Sequence, residues 1–405
     1  MSKPKIRFKG YEEDWEQRKL GDIAEFSKGS GYSKGDLIES GTPIILYGRL
    51  YTKYETSISE VDTYVEAKDG SVYSKGGEVI VPASGETAED IARAATVDKS
   101  GVILGGDLNV VSPNEDINSA FLAISISHGN SQRELAKKAQ GKSIVHIHNE
   151  EIKNLVVPFP TKAEQNKIVE YFSSLDNLIT LHQRKCEETK KLKKYMLQKM
   201  FPQNGKRVPE IRFVGFTEDW EQRKLKETIE YIVDNRGKNP DYYCSEGIPV
   251  IDNFMIRNSL YPDLNTATRF IDENLYQNFI RKYNEEDDIL LTLVGNGIGN
   301  ITLFPKDKAV IIQNTLGFRA KEDKKFLFFL LMANNEALVK LDRGMAQPSI
   351  RQDEILDLDI YVPSNSEQIQ IGEYFTYLDN LITLHQRKYE ELQKIKKFML
   401  QNMFI

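Results

Sequence analysis

The chain of 405 residues has room for two or three domains, and its 40% hydrophobic and 28% charged residues are typical of a globular protein. A formal net charge of −6 argues against a stand-alone nucleic-acid binder, although the local charge that faces a ligand matters more. The composition predicts neither a membrane span nor a secretory signal. With only Cys186 and Cys244, a disulfide framework or a zinc site is not expected, and a reducing cytoplasm fits.

The chain carries one scaffold twice. Residues 6–20, IRFKGYEEDWEQRKL, return as residues 211–225, IRFVGFTEDWEQRKL. Residues 172–201 likewise return as residues 375–404, with LDNLITLHQRK unchanged. The middles between these flanks barely align. Near-identical frames around divergent middles predict one geometry that presents two different binding surfaces.

The repeat divides the chain into segments of alternating character. In chain order they are a leader (1–20), a strand-rich domain (21–160), a helix (161–205), a second leader (206–225), a second strand-rich domain (226–363) and a second helix (364–405). The predicted fold class is α+β. Two mixed domains are separated by two long helices that form an antiparallel coiled coil, with a pseudo-two-fold internal repeat.

The strand-rich domains share a pattern of β-branched runs bounded by glycine and proline. GTPII at residues 41–45 matches GIPVI at residues 247–251, and EVIVPASG at residues 78–85 matches DILLTLVG at residues 288–295. The two middles are therefore expected to share a fold despite their different surfaces.

Both long helices carry apolar residues at heptad spacing, in one seam from Ile168 and in a second from Tyr171. Phe172, Ile179 and Met200 widen this stripe. The residues predicted at the helix–helix or partner interface are Leu175, Leu178, Ile179, His182, Leu192, Met196, Leu378, Leu381, Ile382, His385, Ile395 and Met399.

Two features of the helices leave alternatives open. His182 and His385 occupy matching seam positions and would approach each other in an antiparallel pair, where packing is the simpler role and a pH switch the alternative. The basic run KKLKK at residues 190–194 is expected to be a solvated helix face, with a phosphate or partner contact as the alternative.

The sequence contains neither a GxxxxGK[ST] phosphate loop nor the Asn/Asp-Pro-Pro-aromatic tetrapeptide of amino-methyltransferases. GNGIGN at residues 295–300 has GxGxG spacing and no helical pattern after it, so a turn is favoured over a nucleotide site. His146 and His148 alternate on an apparent strand, and without a third ligand a half-exposed strand is favoured over a metal site. We therefore assign no catalytic, cofactor-binding or metal-binding residue.

Several loops are rich in aromatic, basic and amide side chains. Arginine suits guanine edges, asparagine and glutamine suit adenine edges, and lysine suits phosphates, although for any single residue a solvated surface is the favoured account. As a set on equivalent loops, the candidate DNA-binding residues are Lys28, Tyr32, Lys34, Tyr47, Arg49, Tyr51, Lys53, Lys142, Arg236, Lys238, Asn253, Arg257, Asn258, Asn296, Gln313, Asn314, Arg343 and Gln347.

The tandem frame, the paired LDNLITLHQRK segments and the strand-Pro-x-x-x-Glu-Gln approach to each helix (160–165 and 363–368) resemble the DNA-specificity subunit of Type I restriction-modification enzymes. The resemblance covers essentially the whole chain. Inside the second domain, the pattern DIL…G…G…QN (residues 288–314) also resembles the family. The first domain departs from this pattern, because it has GDLNVVSP at residues 106–113 where the second domain has QNTLGF.

This resemblance implies two target-recognition domains that each bind half of a bipartite site in double-stranded DNA, with the helices as a ruler for the spacer. It implies two methyltransferase subunits that bind S-adenosylmethionine and methylate adenine, and two restriction–translocase subunits that use ATP and Mg. The chain itself would bind no cofactor, catalyse no reaction and contact no membrane. A non-DNA scaffold that pairs two partners through a helical clasp is the alternative, and a self-sufficient modification enzyme is a third.

Overall fold

The computed structural model describes residues 3–141, 144–203, 205–237, 239–343 and 348–404. Its contacts divide the chain into two units, the first formed by Met1–Leu181 with Lys388–Ile405 and the second by His182–Arg387. The boundary falls inside each long helix, so each unit contains the beginning of one helix and the end of the other. Both units mix strands and helices, which confirms the predicted α+β class.

The first half of the chain is strand-rich up to its long helix. Its strands are β1 (Glu16–Lys19), β2 (Ala24–Lys28), β3 (Leu37–Ile38), β4 (Thr42–Ile45), β5 (Ser57–Ile58), β6 (Tyr64–Val65), β7 (Glu78–Pro82), β8 (Ser84–Gly85), β9 (Ala95–Val97), β10 (Ile103–Leu104), β11 (Leu108–Pro113), β12 (Val145–His146) and β13 (Val156–Phe159). Its helices are α1 (Arg49–Thr52), α2 (Ala88–Ile91), α3 (Ser119–Ser127), α4 (Gly129–Lys138), α5 (Asn149–Lys153) and α6 (Lys162–Lys199).

Two sheets organise the first unit. A five-stranded sheet has the order β2-β11-β7-β9-β5, and a four-stranded sheet has the order β10-β4-β6-β3. The apolar run EVIVP forms β7, which is buried along its whole length because Val79 and Val81 pack in one hydrophobic core and Ile80 packs in another. Two further ladders join β1 to β13 and β8 to β12.

The second half of the chain repeats this organisation. Its strands are β14 (Glu221–Lys224), β15 (Ile229–Asp234), β16 (Ile248–Pro249), β17 (Phe270–Ile271), β18 (Ile289–Thr292), β19 (Ile301–Leu303), β20 (Thr315–Ala320) and β21 (Asp359–Val362). Its helices are α7 (Glu273–Asn278), α8 (Lys324–Ala333), α9 (Asn335–Val339), α10 (Gln352–Leu356) and α11 (Asn365–Met403). The main sheet has the order β15-β20-β18-β19, and two-stranded ladders join β14 to β21 and β16 to β17.

Each unit has an aromatic core at the leader end. In the first unit Trp15 packs edge-on against Phe121 at 5.8 Å and against Phe404 at 6.3 Å between ring centroids, and Phe404 also contacts Phe172. The last of these rings comes from the end of α11, so the core of the first unit is completed by a residue from the second half of the chain.

The second unit has the corresponding core. Trp220 packs against Phe201 at 6.1 Å and against Phe326 at 5.7 Å, and Phe201 stacks on Phe375 at 5.7 Å. Phe201 follows the end of α6, as Phe404 follows the end of α11. The end of α11 therefore packs in the core of the first unit, which contains the beginning of α6. The end of α6 packs in the core of the second unit, which contains the beginning of α11.

The glutamate of the Glu-Gln motif anchors the leader to the start of each helix. Arg7 donates two hydrogen bonds of 2.7 Å to the fully buried carboxylate of Glu164. Arg212 donates bonds of 2.6 and 2.7 Å to the equally buried carboxylate of Glu367. Bidentate geometry of this kind gives the strongest charge-assisted hydrogen bonds.

The glutamine of the motif closes the turn before each helix. The amide nitrogen of Gln165 donates to the carbonyl of Pro160 at 3.0 Å, and its amide oxygen accepts from the backbone of Asn118 at 2.8 Å. In the second copy Gln368 donates to the carbonyl of Pro363 at 3.1 Å. The motif that defines the repeat in sequence is thus a device that fixes where each long helix begins.

The helices pair in antiparallel fashion within each unit. In the first unit Lys396 of α11 bonds Asp176 of α6 at 2.5 Å, and in the second unit Lys193 of α6 bonds both oxygens of Asp379 of α11 at 2.7 and 2.8 Å. The two ion pairs are repeat equivalents, and each joins the early part of one helix to the late part of the other. None of the helices in the described ranges combines the length and the apolarity that a bilayer crossing requires.

The side chains at the helix seam differ from the prediction. The first predicted seam, which contains Leu175 and His182, faces the partner helix, but Leu178, Leu192 and Ile395 of the second remain 38–45% exposed. The second inward line of α6 lies one residue later in the chain. It contains Phe172, Ile179 and Met200, which were predicted to widen the stripe, together with Cys186 and Lys193, which were not predicted. Met196, Leu381, Ile382 and Met399 are half-buried, and Leu378 is buried. Lys193 therefore leaves the solvated face that KKLKK predicted, whereas its basic neighbours in the run are exposed.

His182 and His385 meet in the second unit, where their Nδ1 atoms are 2.9 Å apart. One ring must donate and the other accept, so the hydrogen bond requires at least one neutral imidazole. Burial, followed by the charges of His182 and Lys185, lowers the pKa of His385 from its ordinary value. The folded state consequently favours the neutral form of this ring.

The free energy of unfolding should therefore fall as the pH drops below about 6.5, because the unfolded state then binds a proton that folded His385 resists. Loss of the hydrogen bond should contribute about 1 kcal/mol. Urea unfolding should show that the free energy of unfolding falls more between pH 7.5 and pH 5.5 for the native chain than for the H182Q/H385Q variant. Buried His128, whose pKa is also lowered by burial, is common to both proteins and cancels in the comparison. Equal losses would contradict the prediction.

Candidate nucleic-acid interface

A cleft of about 660 Å³ in the second unit brings together three of the segments singled out in the sequence. The segments are the turn after β16 (252–257), the loop between β18 and β19 (295–300) and the residues before β20 (312–314). Five of the predicted residues line this second-unit cleft, namely Asn253, Arg257, Asn296, Gln313 and Asn314. Arg269 and Phe254 complete its wall.

The local backbone explains why these residues converge. GNGIGN forms the hairpin loop between β18 and β19, as the turn interpretation predicts, and Gly297 and Gly299 have φ angles of 89° and 79°, which side-chain-bearing residues rarely adopt. Gln313 adopts a φ of 56° just before β20. β18 lies in the middle of the main sheet, so the loops at its end are fixed by pairing on both sides.

Some of the cleft amides are occupied in holding the loops together. Asn253 donates to the carbonyl of Val294 at 2.8 Å, and Asn300 donates to the carbonyl of Ile256 at 3.0 Å. Asn258 lies beside the cleft and donates to Asn300 at 3.3 Å. These side chains shape the site, and their role is therefore positioning.

Other cleft residues keep their hydrogen-bonding groups available. Asn296 and Asn314 form no side-chain hydrogen bond with another described residue, and Arg257 uses only its Nε, on the carbonyl of Phe254. An asparagine amide offers a donor and an acceptor in one plane, which matches N6 and N7 of adenine, and a guanidinium offers the fork that matches O6 and N7 of guanine. The exposed ring of Phe254 adds an apolar face beside them.

The remaining predicted residues of the second unit have partners or lie outside the described residues. Arg236 pairs with Asp234 at 2.8 Å, holding the pKa of that carboxyl below its usual range, and also bonds Gln352. Gln313 bonds Asn239 at 2.7 Å, and exposed Arg343 pairs with Glu354. Three further predicted residues lie outside the described residues, namely Lys142, Lys238 and Gln347.

The first unit holds the same backbone frame around its corresponding loops. The N–H of Ala83 donates to the carbonyl of Asp107 at 2.8 Å, as the N–H of Leu293 donates to that of Asn314 at 2.8 Å. The β7–β11 and β18–β20 ladders continue from there in the same register. Asp107 thus occupies the position of Asn314.

The neighbouring loops match as well. Glu86 follows Gly85 at the end of β8, as Asn296 follows Gly295, and the bridge from Ser84 to His146 corresponds to that from Val294 to Ser349. The turn after β4 contains the bond from the N–H of Arg49 to the carbonyl of Leu46, and the turn after β16 contains the equivalent bond from Met255 to Asp252. Four positions are thereby matched between the units, namely Tyr47 with Asn253, Tyr51 with Arg257, Glu86 with Asn296 and Asp107 with Asn314.

The first unit requires one correction to the candidate set. Arg49 is buried and bonds Asp62 at 2.7 Å and Glu55 at 2.8 Å, so it stabilises the domain and is not available to DNA. Lys53 also pairs with Asp62, and these two cations lower the pKa of that carboxyl to about 2. Burial raises the pKa of Tyr51, whose hydroxyl donates to the carbonyl of Ser84 at 2.8 Å.

The other predicted residues of the first unit lie at its surface. Lys28, Lys34 and Tyr47 are exposed, and the half-buried Tyr32 has its hydroxyl 2.5 Å from that of Ser71. They are surface groups on the loops around the matched positions.

Sequence reasoning missed the two carboxylates at the matched positions, Glu86 and Asp107. Acidic residues do not fit the expectation of a basic or amide-rich DNA surface, although the alignments of residues 78–85 with 288–295 and of GDLNVV with QNTLGF already contained the correspondence. His146 and His148 also differ from the strand prediction, because β12 ends at His146 and His148 caps α5. In the described ranges no group of three or more His, Cys, Asp or Glu side chains is placed to hold a metal ion.

Comparison with known proteins matches both halves of this frame. The family described as the Type I restriction modification DNA specificity domain matches residues 12–191 and again residues 217–394. The chain belongs to this family. The double match coincides with the internal repeat, and it favours DNA target recognition over the scaffold alternative.

Relatives and solved structures agree over the full length. The Type I restriction enzyme MjaVIII specificity subunit and the putative MjaX specificity subunit, both of Methanocaldococcus jannaschii, are 26% identical, and each alignment covers 95% of this chain and 91% of the relative. The crystal structure of a Type I restriction-modification S subunit from M. genitalium has a TM-score of 0.64 at 16% identity, covering 100% of this chain and 99% of that one. A structure from a study of Type I complex assembly and conformational transition has a TM-score of 0.51 at 16% identity, over 96% and 97% of the chains. These likenesses confirm the fold of a specificity subunit.

Proposed function

We propose that the chain binds an asymmetric, bipartite site in double-stranded DNA, with one half-site for each unit. The observation that carries this is the chemistry of the four matched positions. The same backbone frame presents Tyr, Tyr, Glu and Asp in the first unit and Asn, Arg, Asn and Asn in the second. Side chains with different donor and acceptor patterns select different base edges, so the two half-sites differ in sequence.

The surroundings of each site support a role in target recognition without catalysis by this chain. Asn296, Asn314 and Arg257 offer hydrogen-bonding groups on a fixed backbone, and base recognition requires no more. The reaction would belong to partner subunits, which bind S-adenosylmethionine and take the target adenine out of the duplex into their own pocket. Two restriction–translocase subunits with ATP and Mg would complete the complex in the cytoplasm.

The repeated outer face of the helices supports docking of two methyltransferase subunits. Leu192 and Tyr195 of α6 in the second unit are 45% and 50% exposed, and their equivalents Ile395 and Phe398 of α11 in the first unit are 38% and 55% exposed. Large apolar side chains in such positions mark interaction surfaces. Because both units have an apolar and an aromatic side chain at the same two positions of this face, while the recognition loops diverge, the face suits two copies of one partner.

A methylation map tests the proposal. The chain would be expressed with its cognate methyltransferase subunit in a bacterial host free of other DNA methylation, and N6-methyladenine would be located across the genome by long-read sequencing. We expect a split motif with two unlike halves and an unspecified gap. A soluble, assembled complex that adds no methylation, or that methylates a single continuous or palindromic motif, would contradict the proposal and return weight to the scaffold.

A further inference from the structure

The position shared by Asp107 and Asn314 offers a test of how the units differ. Both residues sit one position before the strand that leaves the site, β11 in the first unit and β20 in the second. Their carbonyls accept the equivalent backbone bonds of 2.8 Å, so their Cα atoms are held by the same hydrogen-bond frame. The side chains have nearly the same size and differ in that the carboxylate only accepts hydrogen bonds, whereas the amide also donates.

We propose that Asp107 determines specificity in the first unit by accepting a hydrogen bond from the exocyclic amino group of a cytosine, at the place where Asn314 of the second unit contacts an adenine. This inference rests on the proposed binding of a bipartite DNA site. Asp107 is neither an amide nor an arginine, the residue types expected at a base edge. Its carboxylate would let the same backbone frame recognise a different base pair.

The chemistry of the base edges favours cytosine for a carboxylate. In the major groove guanine presents two acceptors and thymine one, so both repel an acceptor-only side chain. Adenine presents an amino donor beside the N7 acceptor, which leaves the second carboxylate oxygen facing another acceptor. Cytosine presents its N4 amino group and no acceptor of its own on this edge, so it is the base that best suits a carboxylate.

The environment of Asp107 leaves its carboxylate free for such a contact. The residue is exposed, and its side chain forms no hydrogen bond or ion pair with another described residue. Glu86, at the position of Asn296, is likewise exposed and without such a partner in the described ranges. The matched positions of the first unit therefore form an acceptor surface where the second unit offers amides.

A carboxylate on a DNA-facing loop also has a cost, because the phosphates repel it. Since no cation among the described residues neutralises it, this repulsion weakens binding to every sequence. A direct base contact compensates only at sites with the correct base pair. Asp107 should therefore increase the preference for one DNA sequence over others and should not increase the overall affinity for DNA.

The test uses the assembled complex and three variants, each of which exchanges an aspartate and an asparagine. Asp107→Asn should change one position in one half-site from C·G to A·T, or relax it, with preference for the native base pair reduced by about 10- to 100-fold. Asn314→Asp should move one position of the other half-site from A·T towards C·G. Asp116→Asn is the matched control, because Asp116 is exposed beyond the opposite end of β11 and its substitution makes the same change in charge.

The outcomes separate this inference from the function on which it rests. An unchanged motif in Asp107→Asn, or a change at a position that is not C·G in the native motif, overturns the inference while leaving the bipartite site intact. The same shift in Asp116→Asn would overturn it as a non-specific charge effect. A native complex without any bipartite motif removes the proposed function and the inference with it. Retention of the unaltered half-site in each variant shows that the protein is folded, and binding to duplexes that vary at the affected position provides a second measurement.

Discussion

Replacing Glu367 with alanine should destabilise the second unit by about 3–5 kcal/mol, because it leaves the guanidinium of Arg212 inside the protein without its charge partner. The carboxylate is fully buried and accepts both hydrogen bonds of the arginine fork, at 2.6 and 2.7 Å. The pair also joins the second leader to the start of α11. Its loss therefore weakens the contact that fixes where the helix begins.

Urea unfolding can follow this effect in one unit at a time, since each unit has one tryptophan in its core. In a Trp15→Phe background the fluorescence of Trp220 reports on the second unit. Glu373→Ala is the matched control, because Glu373 is exposed on the same helix and should change stability by less than about 0.5 kcal/mol. A shift below 1 kcal/mol for Glu367→Ala would show that the leader is not anchored through this pair.

Placing lysine at both Tyr195 and Phe398 should abolish assembly with the methyltransferase and all methylation of DNA. The two aromatic residues, Tyr195 and Phe398, are 50% and 55% exposed on the repeated helix face, and a charge there opposes the burial that docking of a partner requires. Loss of an aromatic anchor typically costs 2 kcal/mol or more, about 30-fold in affinity for each site. Single variants should retain one partner copy, which native mass spectrometry resolves.

The control for this prediction is Tyr377→Lys. Tyr377 is 60% exposed on α11, but its repeat equivalent in α6 is Ser174, so it is not part of the repeated face. The variant should assemble and methylate as the native chain does. Two bound methyltransferase copies on the Tyr195→Lys/Phe398→Lys chain would place the docking surface elsewhere.

The helix seam shows where sequence patterns stop being informative. Heptad spacing predicted both long helices and the approach of His182 to His385, because an apolar periodicity is a local property. The second seam was assigned one residue too early. Phe172, Ile179 and Met200 of the observed line were predicted, but Cys186 and Lys193 were not, because they do not look like core residues. Lys193 is inward only because Asp379 of the other helix neutralises it, and a local pattern has no information about a partner 186 residues away.

In the recognition loops, too, the sequence predicts local features but not contacts between distant residues. The positions of Asn296 and Asn314 could be predicted, because glycine-rich turns and strand runs mark the ends of β18 and the start of β20. Composition could not predict that Arg49 is buried and pairs with Asp62 and Glu55, since an arginine in a loop usually remains solvated. The role of the Asp107 carboxylate could be inferred only once a shared hydrogen-bond frame matched the residue to Asn314.

The crossed helix ends determine the order in which the chain can fold during synthesis. The second unit is continuous from His182 to Arg387, whereas the core of the first unit needs Phe404. As the chain emerges from the ribosome, the leader, strands and first helix of the first unit are made early and remain without their last aromatic ring. The part of the protein that is made first is therefore the part that is finished last, and nearly the whole chain must be translated before its recognition surface is held by a complete core.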